Sequence, residues 1–126
     1  MTLNSGGSSA SIHNVNAGTA VTDAVNVGQM NNGLQRVADW SKTYADNIGH
    51  QASAGVASAM AMANMPVAYA PNQSSVGMGV GSFRGQSSIA LGMSTISPSG
   101  RYVFKATAST DSRGDTGVGL GAAITF

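Results

Sequence analysis

From Ser74 to Phe126 the sequence alternates with a period of two, and one set of alternate positions is filled mainly by glycine, alanine, serine and threonine. In the last stretch Val118, Leu120, Ala122, Ile124 and Phe126 share one parity, and Gly117, Gly119, Gly121, Ala123 and Thr125 share the other. Val76, Met78 and Val80 alternate with Gly77, Gly79 and Gly81; Ile89, Leu91 and Met93 alternate with Ala90, Gly92 and Ser94. Tyr102, Phe104, Ala106 and Ala108 then face away from Val103, Lys105, Thr107 and Ser109. Strict alternation predicts strands, here Ser74–Arg84, Ser87–Ser97, Arg101–Asp111 and Thr116–Phe126. Each is about 11 residues long, the length of a tilted strand that crosses a bilayer. Gly85-Gln86, Pro98-Ser99-Gly100 and Ser112-Arg113-Gly114-Asp115 carry turn chemistry, so short links predict an antiparallel meander.

The small-residue face is the constraint. Opposite its core a soluble sheet presents charge, but only 9% of this chain is charged, far below the roughly 25% usual for soluble domains. Glycine inside a strand is costly, so something must approach that face closely. The large apolar side chains then point the other way, and lipid is the solvent that tolerates them.

What approaches the face is found upstream. Residues 1–20 are rich in Ser, Gly, Asn and Thr and read as loop or short β structure. Met1–Ala10 has neither a basic nor an apolar region, so it does not read as a secretory signal. From Val21 a helix is predicted, with Thr22 and Asp23 as caps. Val27, Met30, Leu34, Val37, Tyr44 and Ile48 recur three and four apart once Ser41 is counted, the spacing of a coiled-coil seam. Continued, the seam passes through Gln51, Gly55 and Ser58, where bulk is lost. The uncharged stretch ASAGVASAMAMANMP is built from small residues and methionine and stops at Pro66, so it does not read as a membrane-spanning helix. Four strands cannot close a barrel, and an open edge in hydrocarbon strands unpaired backbone groups. Two copies give eight strands, whose interior is filled by its own side chains; three give twelve, with room for three thin helices. Ala57 of the helix is then expected beside Gly119.

The segment Asp23-Ala24-Val25-Asn26-Val27-Gly28-Gln29-Met30, the thinning helix and the four terminal strands ending in an aromatic together resemble the YadA-like trimeric autotransporter adhesins of Gram-negative bacteria. The resemblance covers nearly the whole chain: head end 1–20, neck 21–30, stalk and pore helix 31–65, linker 66–73 and outer-membrane barrel anchor 74–126. It implies a homotrimer with one twelve-stranded β-barrel around three helices, exporting and tethering an N-terminal passenger at the cell surface. Ser8–Asn14 would be the last piece of the head, and the passenger and signal peptide would precede Met1. Host ligands would be met only through that passenger, and the remaining partners are outer-membrane lipid and the insertion machinery. Phe126 matches the terminal aromatic that this machinery recognises. Gly77, Gly79, Gly81, Gly92, Gly117, Gly119 and Gly121 match luminal positions that leave space during export, or pack statically around the helices. Val76, Met78, Val80, Ile89, Leu91, Met93, Phe104, Val118, Leu120 and Ile124 would meet lipid.

Other features carry less. The chain has no Cys, which excludes a disulfide framework and thiolate metal sites. Six Lys+Arg against five acidic residues leave no basic footprint for nucleic acid. The glycine runs lack dinucleotide-loop spacing, and His13 and His50 stand apart, so no enzyme, metal or cofactor is expected. Arg113-Gly114-Asp115 spells a receptor-recognition tripeptide, but a hairpin turn demands the same residues. Asn72-Gln73-Ser74 is a formal sequon that a turn explains equally. Lys105 is read as a luminal cation, a partner for carbonyls near the helix end or a charge in the pore. Met60, Met62 and Met65 read as gap-fillers at a helix–barrel contact, and Trp40 lies off the seam. The alternative is a soluble trimeric coiled-coil module that needs no membrane.

Overall fold

The structure is a computed structural model that describes residues 6–126. The head-end segment predicted over 1–20 therefore lies partly outside the described residues. One helix, α1 (Val27–Ala63), is followed by β1 (Ser74–Phe83), β2 (Gln86–Ile96), β3 (Tyr102–Asp111) and β4 (Thr116–Ile124). The chain divides into two compact units, one through Tyr44 and one from Ala45 to Phe126.

In the first unit the helix start is fixed by side-chain amides. Asn26 is the N-cap: its Oδ1 accepts the Gln29 amide at 2.8 Å, and Gln29 Oε1 accepts the Asn26 amide at 3.3 Å, a reciprocal capping box. The same Gln29 amide clasps Gly18, donating to its carbonyl at 2.8 Å and accepting its N–H at 2.9 Å, while Asn26 Nδ2 reaches the Val15 carbonyl at 3.1 Å. Thr22 and Asp23 thus do not cap α1. Asp23 closes the preceding turn instead, accepting the amides of Ala20 and Thr19 at 2.8 Å each. Those two bonds, Ala20's foremost, hold its carboxyl below the usual carboxylate range. The seam residues of this unit, Val27, Met30, Leu34, Val37 and Tyr44, are all exposed. Trp40 stacks on Tyr44 with ring centroids 5.4 Å apart.

In the second unit the four strands form one antiparallel sheet in sequence order, β1-β2-β3-β4. The predicted strands stand, each within two residues at either end. One turn shifts: β1 and β2 are joined by Arg84-Gly85, both with positive φ (47° and 78°), and Gln86 pairs with Phe83 inside the ladder. A two-residue loop with left-handed backbone at both positions matches the twist of the flanking strands, which is why the turn sits one residue earlier than Gly85-Gln86. The other two links fold as expected, with Gly100 and Gly114 at positive φ. In the last, Asp111 Oδ1 accepts the amides of Arg113 (2.9 Å) and Asp115 (3.1 Å), so the Arg-Gly-Asp tripeptide is what this turn is made of. No described helix is long and apolar enough to cross a membrane.

Candidate functional site: the helix-facing wall and the outward apolar face

Register places the small residues of the sheet in rows that cross all four strands: Gly79, Ala90, Ser109, Gly117; then Gly77, Gly92, Thr107, Gly119; then Ser75, Ser94, Lys105, Gly121. The C-terminal part of α1 and the segment after it lie on this wall, running antiparallel to β1. A Cβ on Gly81 would strike the Ala57 carbonyl, one on Gly79 the Ala61 carbonyl, and one on Gly77 would lie 2.7 Å from the Pro66 carbonyl. Gly92 accommodates the Met65 thioether, 2.6 Å from where its Cβ would stand. Gly79 and Gly81 are needed by the packing as it stands, because only their missing side chains let helix backbone meet strand backbone; Gly77 does the same for the Pro66 carbonyl beyond the helix, and Gly92 makes room for the Met65 side chain.

Polar groups stitch the same contact. Ser58 Oγ donates to Ser88 Oγ at 3.0 Å, and Ser88 passes the bond to the Thr110 carbonyl at 2.8 Å. After the helix, the Ala68 amide donates to Ser94 Oγ at 2.7 Å. Lys105 Nζ donates to the Met62 carbonyl at 3.4 Å, one of the last carbonyls of α1, which have no partner within the helix. Of the two roles considered for Lys105, the geometry has the first. Met62 also accepts Thr107 Oγ1 through its sulfur at 3.3 Å. Met65 is buried, whereas Met60 stays exposed.

Two expectations change. Within one chain Ala57 lies against Gly81 of β1, so a neighbour for it at Gly119 of β4 could come only from another copy. The glycines of β4 meet no helix of their own chain: Gly117 and Gly119 face the Ser109 and Thr107 hydroxyls, and a Cβ on Gly121 would touch nothing within 4 Å. Ser58, placed in the continued seam, is buried on the sheet, while Gln51 and Gly55 remain exposed. The α1 face on the sheet is Ser53, Ala54, Ala57, Ser58 and Ala61, all buried; sequence reasoning had the small-residue helix end and Ala57 on the wall but did not single out the other four as one face. Its signal was small residues recurring three and four apart, which an apolar-moment reading passes over.

Among the described residues the interior is built mainly of small side chains, with Met65 and Ile96 its bulky members. Ala54, Ala57, Ala61 and Ala90 are fully buried, accompanied by Ser88, Ser94 and Ser109, and no bulky residue is fully enclosed. The large apolar residues are on the opposite face of the sheet: Leu120 is 90% exposed, Val118 85% and Val76 82%. Met78, Val80, Ile89, Leu91, Met93, Phe104 and Ile124 are exposed with them, as is Phe126. In water this is an inverted protein, with an apolar outside far more continuous than a monomer tolerates.

Comparison with known proteins agrees with this inversion. Residues 66–126 match the YadA-like membrane anchor domain. The autotransporter adhesin EhaG of Escherichia coli O157:H7 is 39% identical over 132 aligned positions, spanning 98% of this chain and 8% of that protein. The autotransporter adhesin NhhA of Neisseria meningitidis serogroup B (strain ATCC BAA-335 / MC58) is 40% identical over 106, spanning 84% of this chain and 17% of its own. The chain thus spans less than a fifth of the length of either relative. The inside-out sheet and the membrane-anchor match fall on the same residues, and residues 66–126 are a YadA-like anchor region of the outer membrane.

Proposed function

We propose that three copies of the chain assemble into one twelve-stranded barrel with three α1 segments in its lumen, and that this barrel exports and then tethers its own N-terminal passenger. The observation that carries the reading is the exposed apolar face backed by a helix-packed small-residue face. The sheet ends at β1 on one side and β4 on the other. Within hydrocarbon those edges need partners, and pairing β1 of one copy with β4 of the next supplies them. Two copies would leave no space for the helices that already occupy the wall; twelve strands leave it. The exposed seam from Val27 to Ile48 gives the copies a second surface for association outside the barrel. Export needs no nucleotide and no catalytic residue in this reading. Phe126 serves as the aromatic recognised during insertion, and host ligands are met by the passenger alone.

Outer-membrane preparations of cells expressing the chain, extracted in detergent and run without boiling, test the assembly: a species of three chain masses that collapses to one on boiling is expected. An epitope placed before Met1 should be reached by antibody on intact cells. A monodisperse, soluble single chain in buffer without detergent would overturn the reading.

A further inference from the structure

Packing alone does not fix the seat of α1 on the wall. The small face of the helix repeats every turn, Ser53 and Ala54, then Ala57 and Ser58, then Ala61, and four helical residues rise about 6 Å. The wall repeats as well: Gly77, Gly79 and Gly81 stand two residues apart on β1, roughly 7 Å per step. A slide by one turn lays small residues on small residues again. Chain length does not forbid it. The eight residues from Pro66 to Gln73 reach about 26 Å when extended. The Pro66 carbonyl is beside Gly77, and Ser74 is three residues from Gly77 along β1, only about 10 Å. The excess is folded into a turn, in which the Gln73 amide donates to the Ala70 carbonyl at 3.3 Å.

One contact does distinguish the registers, and the sequence makes it necessary. A helical carbonyl accepts the N–H four residues on, and for Met62 that residue is Pro66, which has none. Lys105 Nζ supplies the donor instead, from 43 positions away on β3. Its neighbour in the same row, Ser94, takes the Ala68 amide at 2.7 Å. The carbonyl before the proline and an amide after it are thus held by adjacent side chains of one row. Displaced by a turn, the Met62 carbonyl loses its donor, and Lys105 meets either a carbonyl already engaged within the helix or the linker beyond it.

We propose that Lys105 is a positioning residue that fixes the register at which α1 comes to rest on the wall, and with it the point at which the exported chain stops. A directional, charge-assisted bond at the carbonyl end of the helix singles out one of several registers that the small faces leave equivalent, as one polar residue does in a coiled-coil seam. The register lock is a property of one chain; its consequence for export rests on the function proposed for the barrel.

Disulfide mapping in the outer membrane tests it. The chain has no cysteine, and the Ser58 and Ser88 hydroxyls are 3.0 Å apart. Ser58→Cys/Ser88→Cys should therefore close a link within one chain, read as a mobility shift on boiled, non-reducing gels. Ala54→Cys/Ser88→Cys and Met62→Cys/Ser88→Cys report displacement by one turn in either direction and should link poorly. Lys105→Met is expected to lower the first link roughly tenfold against a displaced one, the worth of one hydrogen bond to a charged group. Lys105→Arg should restore the original pattern. Pro66→Ala gives the Met62 carbonyl its own donor, so the register should loosen even with Lys105 present, and adding Lys105→Met should change nothing more. An unchanged pattern in Lys105→Met, or a further loss from it in the Pro66→Ala chain, overturns the proposal. Where Lys105→Met does not reach the membrane, Lys105→Leu is read in its place. The link forms within one chain, so a missing three-mass species on unboiled gels would overturn the trimer and leave the register test to stand on its own result.

Discussion

At the scale of the residue, the structure sorts glycines that look alike in the sequence. Gly79 and Gly121 both occupy the helix-facing parity, yet one abuts the Ala61 carbonyl and the other has open space around its Cβ position. Gly79→Ala is expected to destabilise by about 1–3 kcal/mol, the cost of overpacking a contact whose neighbour is backbone. Gly121→Ala is expected to be near neutral, and the heat dissociation of the detergent-solubilised assembly compares the two. Equal behaviour would mean that α1 does not sit on β1 as described. Asp23 gives a residue-level test in the first unit. Its folded pKa lies below the unfolded value, so its contribution to the 19–23 turn is complete above the unfolded carboxylate value of about 3.9 and is lost as pH falls through the lower folded value. Amide exchange at Thr19 and Ala20 should therefore accelerate only on acidification below about pH 4, and Asp23→Asn should flatten that pH dependence.

At the scale of the element, turn and cap chemistry was partly readable. The Pro98-Ser99-Gly100 and Ser112–Asp115 links follow from their residues, because glycine supplies the positive φ each needs. The first hairpin was placed one residue late because an arginine in left-handed backbone is uncommon, and no residue preference announces it. The same fact makes a prediction: Arg84→Asn turns the link into Asn-Gly, the favoured pair for this turn, and should raise stability by about 1 kcal/mol. An upward shift in the thermal midpoint is the readout, and a downward one would point to a separate role for the Arg84 side chain, which lies over the Phe83 ring at 5.6 Å. The α1 start was likewise readable in principle. Asn26 and Gln29 are spaced as a capping box, but Thr22 and Asp23 offered competing caps four and three residues earlier.

At the scale of the whole molecule, the defining property is the exchange of inside and outside. Alanine and serine make up most of the buried residues while the leucines, valines and methionines of the strands are presented to the surroundings. Membrane insertion makes that arrangement favourable, and it sets the cost of a charge by depth. Leu120→Arg is expected to cost about 2–4 kcal/mol if the residue is near the bilayer midplane. Denaturant unfolding in lipid vesicles measures it, with Asp115→Arg at the surface turn as the comparison. A Leu120→Arg variant as stable as wild type would mean that this face does not meet hydrocarbon.

Strand existence, face parity and the membrane preference of one face were determined by the sequence alone, because a period of two is a local property and leaves no freedom about which side chains share a side. Which glycines are indispensable, where α1 lies on the sheet and how Lys105 finds the Met62 carbonyl were decided only by tertiary structure. Those depend on contacts between residues up to 45 positions apart, such as Met62 and Thr107, and alternation along one strand carries no information about what another element lays across it.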